Sequence, residues 1–191
     1  MSFELPDLPY ARTALEPHLS AAALEAHRGV HQGHLDTLNR LLPGSGMEDL
    51  ALDELVRRSH GRLAAVAAEA WNHVFHWTCL SPRGGGEPRG PLADRLARRY
   101  GDFARFRSEF ERMALGLPGP GWAWLVQRPD GSVGILLTHG ASTPATGSDV
   151  PLLACDLWEH AWWLDHAGDR AGYLAAFWKM VDWDAVARRL R

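Results

Sequence analysis

The sequence predicts an α+β fold, in which an N-terminal helical hairpin domain is followed by a C-terminal domain with a small antiparallel three-stranded sheet flanked by helices. Three observations predict it. Two long segments with helical apolar spacing come first, a stretch rich in glycine and proline follows at 81–91, and β-prone runs appear only after it. We therefore expect one domain over residues 1–83 and a second over residues 91–191.

The first predicted helix begins at Ser20, whose hydroxyl can cap it, and ends at Pro43. Its apolar stripe of leucines also contains His27 and His31, so two imidazoles should face the core. A second helix is expected over about 61–79, and its apolar face also carries polar side chains. Groups that can bind a ligand therefore lie on the buried faces of both helices.

The C-terminal half alternates short helical and β-prone segments. A hairpin is expected around Asp130-Gly131, because Asp-Gly between two β-prone runs favours a tight turn. The expected elements are helices at about 92–99 and 103–115, strands at 122–127, 133–138 and about 151–156, and closing helices at about 158–166 and 172–189.

Composition argues against several classes of function. The 191 residues carry a net charge of −3, so no basic surface is expected for nucleic acid or an anionic membrane. Acidic residues and prolines interrupt the N-terminal segment, and every apolar run is shorter than the ~18 residues of a membrane span, so we expect a cytoplasmic protein. Cys79 and Cys155 stand alone, which argues against a zinc knuckle or a redox dithiol.

Candidate metal ligands recur at four-residue spacing in two places. His27 and His31 resemble part of a zinc-protease motif, but Arg28 occupies the place of the glutamate that this chemistry needs, so a protease is excluded. Asp156 and His160 flank a predicted strand-to-helix junction, which can aim both side chains at one point.

Three imidazoles and one carboxylate, from two helices and a strand end, form the candidate ligand set. It leaves a coordination position open and suits iron or manganese better than a closed structural zinc site. Each histidine alone is more often a surface or core residue than a ligand, so the prediction depends on the four acting together.

Five segments carry a resemblance to a known family. They are 3–10 (FELPDLPY), 71–73 (WNH), 85–88 (GGEP), 121–124 (GWAW) and 156–161 (DLWEHA). In their order and spacing, and over nearly the full length, the chain resembles an iron/manganese superoxide dismutase. The last segment is the most specific of the five.

The resemblance implies that His27, His73, Asp156 and His160 bind one iron or manganese ion per subunit. It also implies the two-domain fold of the family, a homodimer, and the conversion of superoxide into dioxygen and hydrogen peroxide. The metal alternates between two oxidation states in that cycle, which excludes zinc. We slightly prefer iron, because the iron-type members place their glutamine where this chain has Glu69.

The sequence departs from the family around the metal. Neither Glu69 nor the loop around Ala141, where manganese-type members supply an amide, carries an amide here, so the potential of the metal should change. His34 takes the place of the gateway tyrosine, with one residue missing after His31. Both histidines should keep the family geometry only if the helix is wound differently there. We expect catalytic roles for His34, Glu69 and His31, with His34 as the proton donor.

Other positions complete the predicted site. His76 and Trp163 stand where the family has tyrosines. By the resemblance, Glu159 is the glutamate that contacts a ligand histidine of the partner subunit in the family. Four tryptophans should form an apolar wall around the metal: Trp77, Trp122, Trp124 and Trp158.

Three hypotheses follow. The first is a superoxide dismutase with an altered proton relay. The second is a different oxidoreductase on the same fold, in which His34 and Glu69 admit an organic substrate or favour dioxygen or peroxide activation, with weak dismutation. The third is metal binding or storage without catalysis, which an open coordination position does not favour.

Overall fold

The predicted fold class is confirmed by a computed structural model that describes residues 2–191. Its elements are α1 (Ala21–Leu41), α2 (Leu52–Arg58), α3 (Gly61–Trp77), α4 (Pro91–Tyr100), α5 (Phe103–Gly116), β1 (Gly121–Gln127), β2 (Val133–His139), β3 (Val150–Asp156), α6 (Glu159–His166), α7 (Arg170–Phe177) and α8 (Trp183–Arg188). A short 3-10 turn, Pro144–Thr146, lies between β2 and β3. Across residues 2–191, no helix combines the length and the apolar character needed to cross a membrane.

Helix α1 carries two histidines on its buried face. The Ser20 hydroxyl accepts a hydrogen bond of 3.1 Å from a backbone amide of the first turn, which fixes the start of the helix as predicted. His27 and His31 are both buried. Helix α2 escaped the sequence analysis because its seven residues are too few to show a helical apolar period.

Strand β1 is the centre of the sheet, whose order is β2-β1-β3 with both neighbours antiparallel. The predicted hairpin between β1 and β2 is present, and the Gly131 amide donates to the Arg128 carbonyl in its turn at 2.9 Å. The register of β1 against β3 pairs Trp122 with Asp156. A bulky aromatic side chain is thereby placed beside a predicted metal ligand.

The prediction of a single closing helix over 172–189 is wrong, since α7 and α8 replace it. Between them the chain pairs with the segment after α3. The Ser81 amide donates to the Met180 carbonyl, and the Asp182 amide donates to the Cys79 carbonyl, each at 2.8 Å. The Asp182 side chain then caps α8. Local spacing could not reveal this break, because its hydrogen-bond partners are remote in sequence.

One buried core runs through both halves of the chain. Leu24 of α1 and Trp77 of α3 belong to the same cluster as Trp122 of β1 and Phe177 of α7. A smaller cluster is formed mainly by α1, α2 and α3. The domain boundary around 81–91 stays a prediction, but the shared core holds the first helices against the sheet.

Replacing Arg189 with alanine is expected to lower the free energy of unfolding by about 3 kcal/mol. Its guanidinium donates to the carbonyls of Leu152 at 2.7 Å and Thr78 at 2.9 Å, and lies 4.6 Å from the ring centre of Phe75. Denaturant unfolding of the metal-free protein would measure the loss. The neighbouring exposed Arg188, changed to alanine, is the control; equal losses in the two variants would contradict this account.

Candidate metal centre

Four side chains from four elements converge on one point between the two halves. His27 comes from α1, His73 from α3, Asp156 from the end of β3, and His160 from the first turn of α6. One possible ligand atom from each lies within 4.8 Å of every other. Three of the four side chains are buried, and that of His160 is 18% exposed. The structure therefore brings together the four residues predicted as ligands.

The distances between these atoms fit a single ion. An ion bound at about 2.1 Å keeps two ligand atoms about 3.0 Å apart at right angles and about 3.6 Å apart at 120°. The Asp156 Oδ2 atom lies 2.9 Å from His27 Nε2, 3.1 Å from His160 Nε2 and 3.6 Å from His73 Nε2. The last two nitrogens are 3.3 Å apart. Three imidazoles and a carboxylate at these separations suit iron or manganese.

Hydrogen bonds behind the cluster orient two of its members. The His73 Nδ1–H group donates to the Glu69 carbonyl at 2.7 Å, so the lone pair of this neutral ring is at Nε2 and faces the cluster. The Trp158 amide donates to Asp156 Oδ1 at 2.8 Å, which leaves Oδ2 for a ligand. Such outer contacts set the direction in which a ligand points.

The protonation states also suit cation binding. Burial would raise the pKa of Asp156, but the neighbouring His160 and His27 outweigh it and hold that pKa well below its usual range. Burial lowers the pKa values of His27 and His73. At neutral pH Asp156 is therefore a carboxylate, and His27 and His73 present unprotonated ring nitrogens to a cation.

The metal-free protein is expected to lose stability as the pH falls from 6.5 to 5. Burial lowers the pKa values of five histidines: His27, His31, His34, His73 and His76. The unfolded chain therefore binds more protons in this window. For His76, with a pKa of about 4, the loss at pH 5 is about 2 kcal/mol. Glu69 acts in the opposite direction, because its pKa is raised to about 8, but it is one group against five.

Denaturant unfolding at several pH values would measure this effect. His76→Gln should reduce the acid-side loss by about 2 kcal/mol, whereas the same change at His60, exposed at the start of α3, should leave it unaltered. A metal-free protein of constant stability between pH 5 and 7 would contradict the assignment of neutral buried imidazoles.

The predicted catalytic residues surround His73. His31 is fully buried, its ring centre is 5.3 Å from that of His73, and its Nδ1 accepts a hydrogen bond of 3.3 Å from the Trp77 indole. The half-buried His34 ring also lies 5.3 Å from His73. Helix α1 is regular over this stretch. Three-residue spacing puts both histidines on one face, so no local rewinding is needed for both to reach His73.

Glu69 lies one helical turn before His73 and is 5% exposed. Both of its carboxyl oxygens are buried and lack a hydrogen-bond partner among the described residues. Burial, together with the charge of Asp156, raises its pKa to about 8; Trp122 lowers the pKa slightly from nearby, without a hydrogen bond of ordinary geometry. In the metal-free protein at pH 7 the carboxyl is therefore mostly neutral, and a bound cation would favour the carboxylate.

Three of the four predicted wall tryptophans touch the cluster. Ring centres are 4.7 Å apart for Trp77 and His27, 5.2 Å for Trp122 and His73, and 5.8 Å for Trp158 and His160. Trp124 lies one layer further out, 5.9 Å from Trp122. The ligand atoms therefore face aromatic surface on several sides.

The remaining predicted positions lie on either side of the cluster. His76 is buried, 5.5 Å from the His27 ring, and its Nδ1–H group donates to the Ala154 carbonyl at 3.1 Å. Glu159 and Trp163 are exposed on α6, and Trp163 exposes 57% of its surface. His76 is therefore enclosed by the protein, whereas Glu159 and Trp163 face outwards.

One grouping was missed by sequence reasoning. Ligand atoms of His34, Glu69 and His73 also lie within 4.8 Å of one another. His34 and Glu69 are on different helices, so nothing in their spacing indicates that they are neighbours. Their shared departure from the family pattern was the one available signal.

Comparisons with known proteins match the whole chain. A model of the alpha-hairpin domain of iron/manganese superoxide dismutases matches residues 2–81, and a model of their C-terminal domain matches residues 88–189. A relative from Salmonella typhimurium is 48% identical over 191 residues, covering 100% of this chain and 99% of the relative. Relatives from Escherichia coli (46%; 100% and 99% covered) and Legionella pneumophila (43%; 100% of both) are also similar. All three are named as iron superoxide dismutases.

Proposed function

The chain belongs to the iron/manganese superoxide dismutase family, and from this membership we propose that it converts superoxide into dioxygen and hydrogen peroxide. The observation that carries the proposal is the convergence of three imidazole nitrogens and one carboxylate oxygen within 4.8 Å of one another, with the carboxylate oxygen 2.9–3.6 Å from the three nitrogens. His27, His73, Asp156 and His160 would hold the metal. Iron is the preferred ion, in line with the names of the relatives.

The bound metal would supply two accessible oxidation states, so that one superoxide is oxidised and the next is reduced. The protein supplies the surroundings. Asp156 contributes a negative charge whose low pKa keeps it ionised, and Trp77, Trp122 and Trp158 cover the imidazoles with aromatic surface. Restricting water in this way strengthens electrostatic interactions at the reacting centre.

Reduction of superoxide to hydrogen peroxide consumes two protons, and we assign their delivery to His34. The ring is half-buried, so it reaches both solvent and the His73 side of the site. Glu69, in its neutral form, is a single O–H donor where the family has an amide. His31, whose pKa burial lowers to about 3, stays neutral and serves to position His73.

A homodimer is proposed from the resemblance and from the outer face of α6. Trp163 is 57% and Leu164 58% exposed, on the helix that begins with Glu159. A partner subunit covering this face would bury both side chains and bring Glu159 close to a second copy of the site. Cytoplasmic action, expected from the sequence, stays a prediction.

The alternative, an oxidoreductase with another substrate, draws on one further observation. A cavity of about 610 Å³ borders His160 and is lined by Trp158, Trp162 and Arg170 among others. This volume exceeds what superoxide requires. In the proposed dimer the partner would cover the same face, so the two proposals make opposite predictions for access to this cavity.

Superoxide disproportionation by purified protein, reconstituted separately with iron and manganese, tests the proposed function. Metal content and sedimentation mass are measured on the same samples. Fast turnover with iron, a lower rate with manganese and the mass of a dimer are expected. Full metal occupancy with negligible turnover for both metals would reject dismutation in favour of the alternative substrate, and a monomer mass would reject the dimer.

A further inference from the structure

Three tryptophans form a continuous path from the metal cluster to the surface. Trp122 and Trp124 lie two residues apart on β1, so their side chains share one face of the sheet. The Trp122 ring centre is 5.2 Å from that of His73 and 5.9 Å from that of Trp124. The Trp124 ring centre is in turn 6.4 Å from that of Trp71 on α3. Each indole therefore lies at the contact distance of neighbouring aromatic rings from the next.

Trp71 is the outer end of this path. Trp122 and Trp124 are fully buried, whereas Trp71 is partly exposed and borders a surface cavity of about 510 Å³. Its indole N–H group donates to a carboxylate oxygen of Asp53, which is exposed to solvent. The Trp124 N–H group donates to the Thr138 hydroxyl at 3.0 Å, and a hydroxyl is a poor base. The outermost indole is thus the one hydrogen-bonded to a base that water can reach.

The innermost indole has a less suitable proton acceptor. Trp122 Nε1 lies near the Glu69 carboxyl but makes no hydrogen bond of ordinary geometry with any described residue. Glu69 is buried, so a proton given to it stays beside the metal cluster, whereas a proton given to Asp53 passes to water. An indole that loses an electron becomes a strong acid at its N–H group, and release of that proton stabilises the radical. This chemistry favours a radical at Trp71.

A second aromatic branch leaves the cluster but is interrupted. Ring centres are 6.3 Å apart for His76 and Phe177, and 5.4 Å apart for Phe177 and Trp178. Trp183 follows at 6.0 Å from Trp178. A phenyl ring gives up an electron far less readily than an indole, so Phe177 blocks transfer along this branch. The path to Trp71 has an indole at every step.

We propose that Trp122, Trp124 and Trp71 transfer oxidising equivalents from the metal centre to the surface, where a radical is held at Trp71. The proposal rests on the metal centre of the proposed function, but not on superoxide turnover. Hydrogen peroxide, the product of that function, is the oxidant. Its reduction to two waters takes two protons from solvent and two electrons, one from the metal in its lower oxidation state and one from the indoles. Trp71 ends one electron short, and its N–H proton moves to the Asp53 carboxylate.

A radical trapped by rapid freezing tests the path. Iron-loaded, reduced protein is mixed with hydrogen peroxide and frozen for electron paramagnetic resonance. We expect a tryptophan radical, identified by the narrower signal of protein made with ring-deuterated tryptophan, and oxidation products at Trp71 in peptide mass spectra. Trp71→Phe should lower the radical yield at least about fivefold. Asp53→Asn, which removes the base and keeps its shape, should lower the yield at least about threefold.

Trp183→Phe is the matched control, because Trp183 lies on the branch that Phe177 interrupts, and it should leave the radical yield unchanged. Iron content and circular dichroism show whether each variant folds. Asp53 is exposed, so Asp53→Asn keeps the test decisive if Trp71→Phe does not fold. Superoxide turnover is measured on the same samples. A radical at Trp71 without turnover would support the path and reject only the dismutase function, whereas iron-loaded protein without a tryptophan radical, or equal yields in Trp71→Phe and the unaltered protein, would overturn the path.

Discussion

Replacing Asp156 with asparagine is expected to leave the protein almost free of iron and manganese and to lower superoxide disproportionation at least about 100-fold. Asp156 is the one anionic ligand of the cluster, and its Oδ2 atom lies within 3.6 Å of all three imidazole nitrogens. The amide keeps the shape of the side chain but removes the charge. Metal content by mass spectrometry and turnover by stopped flow would measure the two effects.

Asp94→Asn provides the control for a lost carboxylate. Asp94 is exposed in the first turn of α4, outside the cluster. This variant should retain both metal and activity. Retention of a full equivalent of metal by Asp156→Asn, with normal turnover, would contradict the assignment of Asp156 as a ligand.

Replacing His34 with alanine is expected to lower turnover about 100-fold, which is the lower end of the usual contribution of a positioned proton-transfer group. The bound metal should remain, because His34 is outside the four-residue cluster. The change should appear in the maximum rate under conditions in which protonation limits the reaction. Stopped-flow measurements at high superoxide concentration, in ordinary and deuterated water, would detect it.

His34→Tyr and His60→Ala complete that experiment. A phenol at position 34 matches the family and should return part of the lost rate, whereas removal of the exposed His60 ring should have no effect. Unchanged turnover in His34→Ala would remove the proton-delivery role. Loss of metal in the same variant would instead indicate that His34 supports metal binding by the four-residue cluster.

The fold could be predicted to the extent that local spacing determines it. Helices α1 and α3 have apolar stripes of several turns, and Asp130-Gly131 identifies the hairpin between β1 and β2. Helix α2 is too short to show a period. The interruption between α7 and α8 depends on hydrogen bonds to Ser81 and Cys79, which no local pattern encodes.

In the candidate site, too, some features could be predicted and others depend on long-range packing. The four converging residues could be proposed from ligand chemistry and family motifs, and the structure places them together. The proximity of His34 and Glu69, whose possible ligand atoms lie within 4.8 Å of each other, could not be predicted, because it depends on how two helices face each other. Whether His31 and His34 both keep the family geometry stays a prediction, although the regular helix α1 brings both rings to 5.3 Å from that of His73.

The four converging residues come from three distant parts of the chain. His27 and His73 are 46 positions apart, His73 and Asp156 are 83 apart, and only Asp156 and His160 are close, at 4 positions. During synthesis on the ribosome, the emerging polypeptide can offer two imidazoles early, but the complete chelate exists only after the sheet and α6 have docked on α1 and α3. Metal uptake would therefore report the end of maturation, and an ion captured earlier would be held by only a fragment of the site.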